Sequence, residues 1–363
     1  MVERLLFSAA TRFEAARHLS ELPAGHRSRR LHGHGFVATV RVRADAVPSE
    51  SPGDEATALQ RRLAQAVAPL DHDSLNNTLD EPSDENLARW IRGALGLQGI
   101  DSIGVQSTLT RGVEWDRKGH LHLWRRYALQ SAHQLPYVPP EHKCRRMHGH
   151  GFELVLRADY GARLPQSALA YDRLDEAWAP LHAELDHVCL NDIPGLENPT
   201  SEMISSWIWN RLKPELPQLS WVVVHETPSC GARFDGGHYC IWKEATLDSA
   251  CRLTKATEGQ NKRNIHGHTY RLRLHLQGQL DDIMGWTMDF GEVKDSFTPV
   301  FLELDHHPLH EVVGRDADVA TVAKWIRRRM TGMLPQLERI DLYETPECGA
   351  VLYWGEDGVT LAT

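Results

Sequence analysis

The chain is 363 residues long, 41% hydrophobic and 25% charged, with a formal net charge of −9. That length holds two or three ordinary domains with real cores, and the acidic balance argues against a general nucleic-acid binder, because neutralising phosphates takes a basic field. No apolar run approaches a membrane span, Met1 to Arg12 lack the plan of a secretory signal, and the six cysteines show no paired spacing, so a reducing, cytoplasmic setting is expected.

In chain order the first landmark is His32-Gly33-His34, followed by Leu70-Asp71-His72, Trp90-Ile91 and Ser107-Thr108. The same series returns as His148-Gly149-His150, Leu185-Asp186-His187, Trp207-Ile208 and Glu226-Thr227. It returns again as His266-Gly267-His268, Leu304-Asp305-His306, Trp325-Ile326 and Glu344-Thr345. The His pairs lie 116 and 118 residues apart, the size of a small domain and too long for a solenoid repeat. Three tandem units are therefore expected, at 1–123, 124–243 and 244–363. The joints near Leu123-Trp124 and Lys243-Glu244 contain no Gly/Ser or Pro-rich linker, so the units should pack directly together.

Within each unit the pattern is strand, strand, helix, helix, strand, strand. In the second, Tyr127–His133 and His148–Ala158 read as strands and Asp172–Leu185 as a helix with Leu174, Trp178 and Leu181 on one side. A second helix starts at Thr200 or Ser201 and stops before Pro214. Trp221–Val224 and His238–Trp242 read as the closing strands. Residues two apart on a strand share a face, so both imidazoles of each His-Gly-His project together, as two ligands of one ion would.

These residues carry a family resemblance. The second unit resembles the 6-pyruvoyl/6-carboxytetrahydropterin synthases, most of all the bacterial carboxy-forming branch of the queuosine pathway. The matching stretches are Ala132-His133-Gln134-Leu135-Pro136, the run from Glu141 to Phe152 that contains Cys144 and His148-Gly149-His150, then Leu185-Asp186-His187, the run from Leu190 to Glu202, and Glu226-Thr227. The flanking units match more loosely. The resemblance implies an α+β tunnelling fold, in which each unit is a four-stranded antiparallel sheet with two helices and three units close a twelve-stranded pseudo-trimeric barrel. It also implies a homodimer of such rings, in place of the family's hexamer.

For the site, the resemblance makes His133, His148 and His150 a Zn2+ triad with an open position, the plan of a catalytic zinc. Cys144 is the family's catalytic cysteine, and a thiol beside a dication, Lys143, Arg145 and Arg146 is expected to have a depressed pKa. Asp186 and His187 match the acid–base pair. Family oligomers draw that pair from a neighbouring subunit, so Asp71 and His72, or Asp305 and His306, are equal candidates to serve Cys144. Glu226 matches the carboxylate that anchors the pterin, with Glu344 at the same place in the third unit and Thr200 and Ser201 beside it. The substrate implied is a pterin triphosphate, and the basic loops, Lys143, Arg145 and Arg146 among them, either receive the triphosphate or are solvated charge.

The other two units depart from this pattern. In the first, Arg17 stands at the first ligand position, Ser28 at the cysteine and Ser107 at the glutamate, so that unit reads as catalytically dead. In the third, Cys251 stands where the first histidine belongs, giving a candidate second metal set of Cys251, His266 and His268, while Lys262 replaces the cysteine. The function implied is a zinc-dependent lyase converting 7,8-dihydroneopterin triphosphate to 6-carboxytetrahydropterin, acetaldehyde and triphosphate. A pyruvoyl-forming outcome, a related pterin substrate and a pterin-binding pseudoenzyme are the alternatives.

Overall fold

The computed structural model describes residues 3–49, 51–162, 166–257 and 261–355. The first unit runs β1 (Arg4–Arg17), β2 (His32–Arg43), α1 (Glu55–Val67), a two-residue β3 (Asp73–Ser74), α2 (Asp84–Leu95), β4 (Ile100–Thr108) and β5 (Arg111–Asp116). The second runs β6 (Leu121–His133), β7 (His148–Asp159), α3 (Ser167–Leu185), α4 (Ser201–Leu212), β8 (Leu219–Thr227) and β9 (Cys230–Phe234). The third runs β10 (Tyr239–Cys251), β11 (His266–Gly278), α5 (Phe290–Leu304), the single-turn α6 (Leu309–Val312), α7 (Val319–Met330), β12 (Leu337–Thr345) and β13 (Cys348–Tyr353).

Apart from β3, which lies parallel against β1, the strands pair antiparallel in chain order, and β13 closes on β1 with Arg4 opposite Tyr353. The result is a closed twelve-stranded barrel of three α+β units, as expected. Closure removes the open sheet edges that a lone four-stranded unit would expose. The units meet through hairpins: Cys230 in β9 faces Lys243 in β10, and Arg111 in β5 faces Arg125 in β6. Both expected joints, 123/124 and 243/244, therefore fall inside a strand.

One strand differs from the expectation. His238–Trp242 does not close the second unit; Tyr239 opens β10 of the third, and β9 is the closing strand. Cys230-Gly231-Ala232-Arg233-Phe234 is short and lacks β-branched residues, which hid it. Its glycine is structural, since a Cβ on Gly231 would sit 2.2 Å from the Val224 carbonyl oxygen and 2.6 Å from the Trp242 ring. Gly112 in β5 and Gly349 in β13 meet the same crowding.

Alternation divides each strand between two environments. Leu129, Phe152, Leu154 and Leu156 face the helices and are buried with Leu174, Trp178, Ile204 and Ile208. At about 1.5–3 kcal/mol for each large apolar side chain buried, this layer holds the helices on the barrel. The other face lines the lumen, where Trp124, Arg126, Trp221 and Arg233 border a cavity of about 270 Å³. Its buried charges pair across the strands, as in Arg157–Glu114 at 3.4 Å and Arg273–Glu244 at 2.9 Å.

The β6–β7 hairpin outruns its neighbours. Pairing with β5 stops at Arg125 and pairing with β8 starts at Glu153, so His133, His148 and His150 stand on a projecting tip. The free edge of β6 beyond Arg125 is taken up by the segment after α3, through a parallel bridge between Ala132 and Cys189.

Candidate active site

His133 and His148 face each other directly across β6 and β7, and His150 lies one pleat along the same face. The three rings converge, with centroid separations of 4.5 Å for His133–His148 and 5.1 Å for each of the other pairs. One ligand nitrogen from each lies within 4.8 Å of the others. Nδ1 of His133 is 2.9 Å from the Pro199 carbonyl, and Nδ1 of His148 is 2.7 Å from the Arg146 carbonyl. Those carbonyls fix the tautomer with hydrogen on Nδ1 and leave Nε2 as the metal-facing lone pair, the outer-sphere plan of histidine metal sites. Nε2 of His133 and of His150 is buried without a hydrogen-bond partner. A cation is what three converging ring nitrogens, two of them buried and unpartnered, call for, so the residues fit a bound divalent metal.

Burial pushes His133 down to about 4 and lowers His150 as well, although the Glu226 carboxylate opposes the shift in both. His133 and His150 are therefore neutral near pH 7, the form that binds metal.

Cys144 sits on a one-turn helix at Lys143–Arg145, and its backbone N–H donates to Nδ1 of His142 at 3.2 Å. Contrary to expectation, its thiol is pushed up. Burial is the largest cause and Glu226 adds to it, while Lys143 opposes both and Asp289 raises it further. Arg145 offers no help because its guanidinium donates to the carbonyls of Pro136 and Val138, tying the loop to itself. The same bonds make Arg145 a loop brace and not a free phosphate ligand.

Glu226, at the end of β8, lies 3.4 Å from Nε2 of His150 and accepts a hydrogen bond from Ser201 Oγ at 2.9 Å. Thr200 is the N-cap of α4. Its hydroxyl accepts from the Met203 N–H and donates to the Gly285 carbonyl, so both hydrogen-bonding roles are engaged. Glu202, next along, is fully buried and pushed up to about 7 by desolvation, and it accepts the Thr287 N–H at 2.8 Å.

Gly285 and Thr287 belong to the third unit, whose loop before α5 forms one wall of this site. Asp289 there comes within 3.4 Å of Nε2 of His142, and Trp286 packs on the same imidazole at 6.0 Å. Asp289 sits in Met288-Asp289-Phe290, where the second unit has Ala170-Tyr171, and the fold delivers it to the second unit's site. Glu202 and the His142–Asp289 pair were missed as site residues. Their sequence signal was position alone: His142 and Glu202 both lie in stretches that carry the resemblance.

The first unit carries a different set of groups at the corresponding place. Arg17 stands opposite His32, where His133 stands opposite His148. Its guanidinium pairs with Asp84 at 2.7 Å, both side chains almost wholly buried, and lies 5.0 Å from the Phe36 ring centre. Asp84 also accepts from Ser107 Oγ at 2.7 Å and Tyr171 Oη at 2.8 Å. Compared with the second unit, donor and acceptor have exchanged places. Ser201 donates to Glu226 there, whereas Ser107, at the glutamate position, donates to Asp84, at the serine position. A fixed cation thus stands at the first ligand position, while Nε2 of His32 and of His34 stay buried without a hydrogen-bond partner.

In the third unit Cys251 Sγ lies 3.3 Å from Nε2 of His266, and Cys251, His266 and His268 again place one ligand atom each within 4.8 Å. Lys262 reaches Asp54 at 3.4 Å, Glu344 at 3.6 Å and Thr57 Oγ1 at 2.6 Å.

The three Asp-His pairs are alike. Asp71, Asp186 and Asp305 accept the N–H of Glu14, Gln130 and Asp248, and the following histidine donates its own N–H to the carbonyl of that same residue. His72, His187 and His306 all adopt positive φ, 57°, 59° and 57°, strained backbone for a non-glycine residue. Each Nδ1 lies 2.7–3.0 Å from its aspartate, and the imidazoles are about 75% exposed. Among the described residues no hydrogen bond or ion pair joins any of these pairs to Cys144 or to the triad.

Residues 7–108, 122–237 and 240–355 each match the model of the family described as 6-pyruvoyl tetrahydropterin synthase. The chain therefore belongs to that family, with three copies of its domain. It is 37% identical over 122 residues to a Synechocystis 6-carboxy-5,6,7,8-tetrahydropterin synthase, a match spanning 31% of this chain and 91% of that protein. It is 33% identical over 93 residues to a dihydroneopterin monophosphate aldolase of Pyrococcus furiosus, spanning 25% and 79%. The solved 6-pyruvoyl tetrahydropterin synthase of Caenorhabditis elegans aligns at 21% identity over 32% of this chain and 95% of its own, with a TM-score of 0.29. Among the described residues no helix is long and apolar enough to cross a membrane.

Proposed function

We propose that the chain is a zinc-dependent 6-carboxytetrahydropterin synthase with one working site, built on the second unit and walled by the third. Its substrates are 7,8-dihydroneopterin triphosphate and one water, and its products are 6-carboxytetrahydropterin, acetaldehyde and triphosphate. The observation carrying this reading is that, among the described residues, the second unit alone combines a three-histidine set, a cysteine and an anchoring carboxylate with no lysine or arginine paired to it. Arg17 fills the corresponding place in the first unit, and Lys262 neutralises Glu344 in the third. The Synechocystis relative supports the carboxy-forming outcome, as does the short spacing from Cys144 to His148.

Bound zinc would supply Lewis-acid polarisation of the substrate's side-chain oxygens. Glu226, held by Ser201, accepts two hydrogen bonds from the guanidine-like edge of the pterin and sets its position over the triad. Cys144, on its short turn, moves a proton at the side chain. Its high pKa in the metal-free chain makes the thiol a stored acid, to be deprotonated only with a positive charge nearby. Glu202, poised near 7, fixes the wall loop through the Thr287 N–H and keeps the pocket floor from carrying a second full negative charge. An Asp-His pair completes the relay, its aspartate holding the imidazole tautomer. The exposed faces of these pairs also fit two rings stacked face to face, and a monomeric mass in light scattering would count against that homodimer.

The test is mass-spectrometric product analysis after the zinc-loaded protein is incubated with 7,8-dihydroneopterin triphosphate. The carboxy product with acetaldehyde is the expected result. A 6-pyruvoyl product would reassign the reaction, and no turnover would move the chain to another pterin or to a binding role.

A further inference from the structure

The third unit differs from the second at two positions that make chemical sense only together. Where the second has His133 as first ligand with Phe152 beneath it (ring centres 5.4 Å apart), the third has Cys251 with Tyr270. Phe36 holds that aromatic position in the first unit, so a hydroxyl appears there only where a thiol does. Tyr270 packs edge-on against His268 with ring centres 5.3 Å apart, and it and Cys251 are both almost wholly buried, which puts the hydroxyl on the ligand face beside the thiol. A phenol donating to a buried sulfur is what a metal-bound thiolate needs, because the bond stabilises the anion and fixes its orientation. His266 is oriented as a ligand as well, with Nδ1 2.9 Å from the Asn264 carbonyl, the counterpart of His148 and Arg146.

The surroundings are not those of a reaction site. Lys262 takes the cysteine's place and lies between Glu344 and Asp54, the latter carried in by the first unit and 3% exposed. Its ammonium covers the carboxylate that would anchor a ligand. The cluster also lies on the seam where the third unit meets the first: Thr57 accepts from Lys262, and the Thr257 N–H donates to Ser51 Oγ at 2.9 Å.

We propose that Cys251, His266 and His268 hold a second divalent metal of the zinc class, bound through one thiolate and two imidazoles, that stabilises the seam closing the barrel and takes no part in turnover. Tyr270 is its outer-sphere donor. Thiolate with imidazole is a donor set that zinc accepts readily.

The experiment uses the full chain stripped with chelator and titrated with zinc and with cobalt(II), whose thiolate complexes show a near-ultraviolet charge-transfer band that all-histidine sites lack. Wild type should take two equivalents and show the band. His148→Ala with His150→Ala should keep one equivalent and the band; Cys251→Ser should keep one equivalent and lose it. Tyr270→Phe, which leaves the ligands in place, should keep the band and bind that equivalent about 10–100-fold more weakly. A band that survives Cys251→Ser, a wild type without a band, or a Tyr270→Phe protein with unchanged affinity overturns the proposal. Wild type that binds only the banded equivalent would instead refute the triad of the second unit and leave this site standing.

Discussion

Arg17→Met is the sharpest test of the claim that the first unit exchanged a metal for a fixed cation. Arg17 and Asp84 pair at 2.7 Å with side chains 3% and 1% exposed, so the substitution strands a carboxylate out of water. Asp84 is held below the usual carboxylate range although burial pushes it the other way; Arg17, then Arg111, are the charges that hold it there. Breaking a buried pair from one side costs about 3–5 kcal/mol. Two hydroxyl donors, Ser107 and Tyr171, remain to Asp84, so the lower end, about 3 kcal/mol, is expected. Asp84→Asn in the same chain removes the stranded charge and should recover more than half of the loss, because the amide still accepts from those hydroxyls. The assay is urea unfolding of the two variants and wild type at fixed zinc concentration, followed by tryptophan fluorescence and circular dichroism. Measured against wild type at the same pH, the single variant should regain part of its loss on acidification toward pH 5, as a carboxyl whose folded pKa has risen above its unfolded value takes up its proton first in the native state. A single variant within 1 kcal/mol of wild type, or a double variant no better than the single, would refute the reasoning.

Three further outcomes are expected. Cys144→Ala should abolish turnover while the triad's zinc equivalent is retained; loss of that equivalent would recast Cys144 as a ligand. Alanine at Asp71, His72, Asp305 and His306 together should cut kcat by about 10²–10⁴-fold if the relay comes from either neighbouring unit; unchanged turnover would assign it to Asp186 and His187. Stability should fall with acid between pH 6.5 and about 3. Burial depresses His225 and His275 to about 3 in the folded chain, with Arg273 adding to the shift in His225 and Arg339 in His275, so below 6.5 the unfolded chain binds protons that the folded one refuses. The cost at pH 5.5 is about 1.4 kcal/mol for each, read from urea midpoints at pH 7.5 and 5.5.

The periodic landmarks alone gave the number of units, and the His-x-His spacing alone put two imidazoles on one strand face. Cys144, Glu226 and the Asp-His pairs were legible as candidates because short motifs in register carry their chemistry locally. β9 was not legible: its identity depends on Gly231 slipping under Val224 and Trp242, a contact made by strands on either side of it. Nor was the meaning of Arg17. Read singly it is a lost ligand; paired with Asp84, which Ser107 holds, it is a replacement cation, and that needs residues 67 and 90 positions further along the chain. The same holds for Lys262 against Asp54, brought together by ring closure, and for His142 against Asp289, brought together where the second and third units pack side by side. Sequence determines what lies within reach of one strand or turn, because spacing fixes direction there. Which buried charge is paired, which thiol is shifted and which of three similar sites stays open are sums over groups that only the closed barrel brings together.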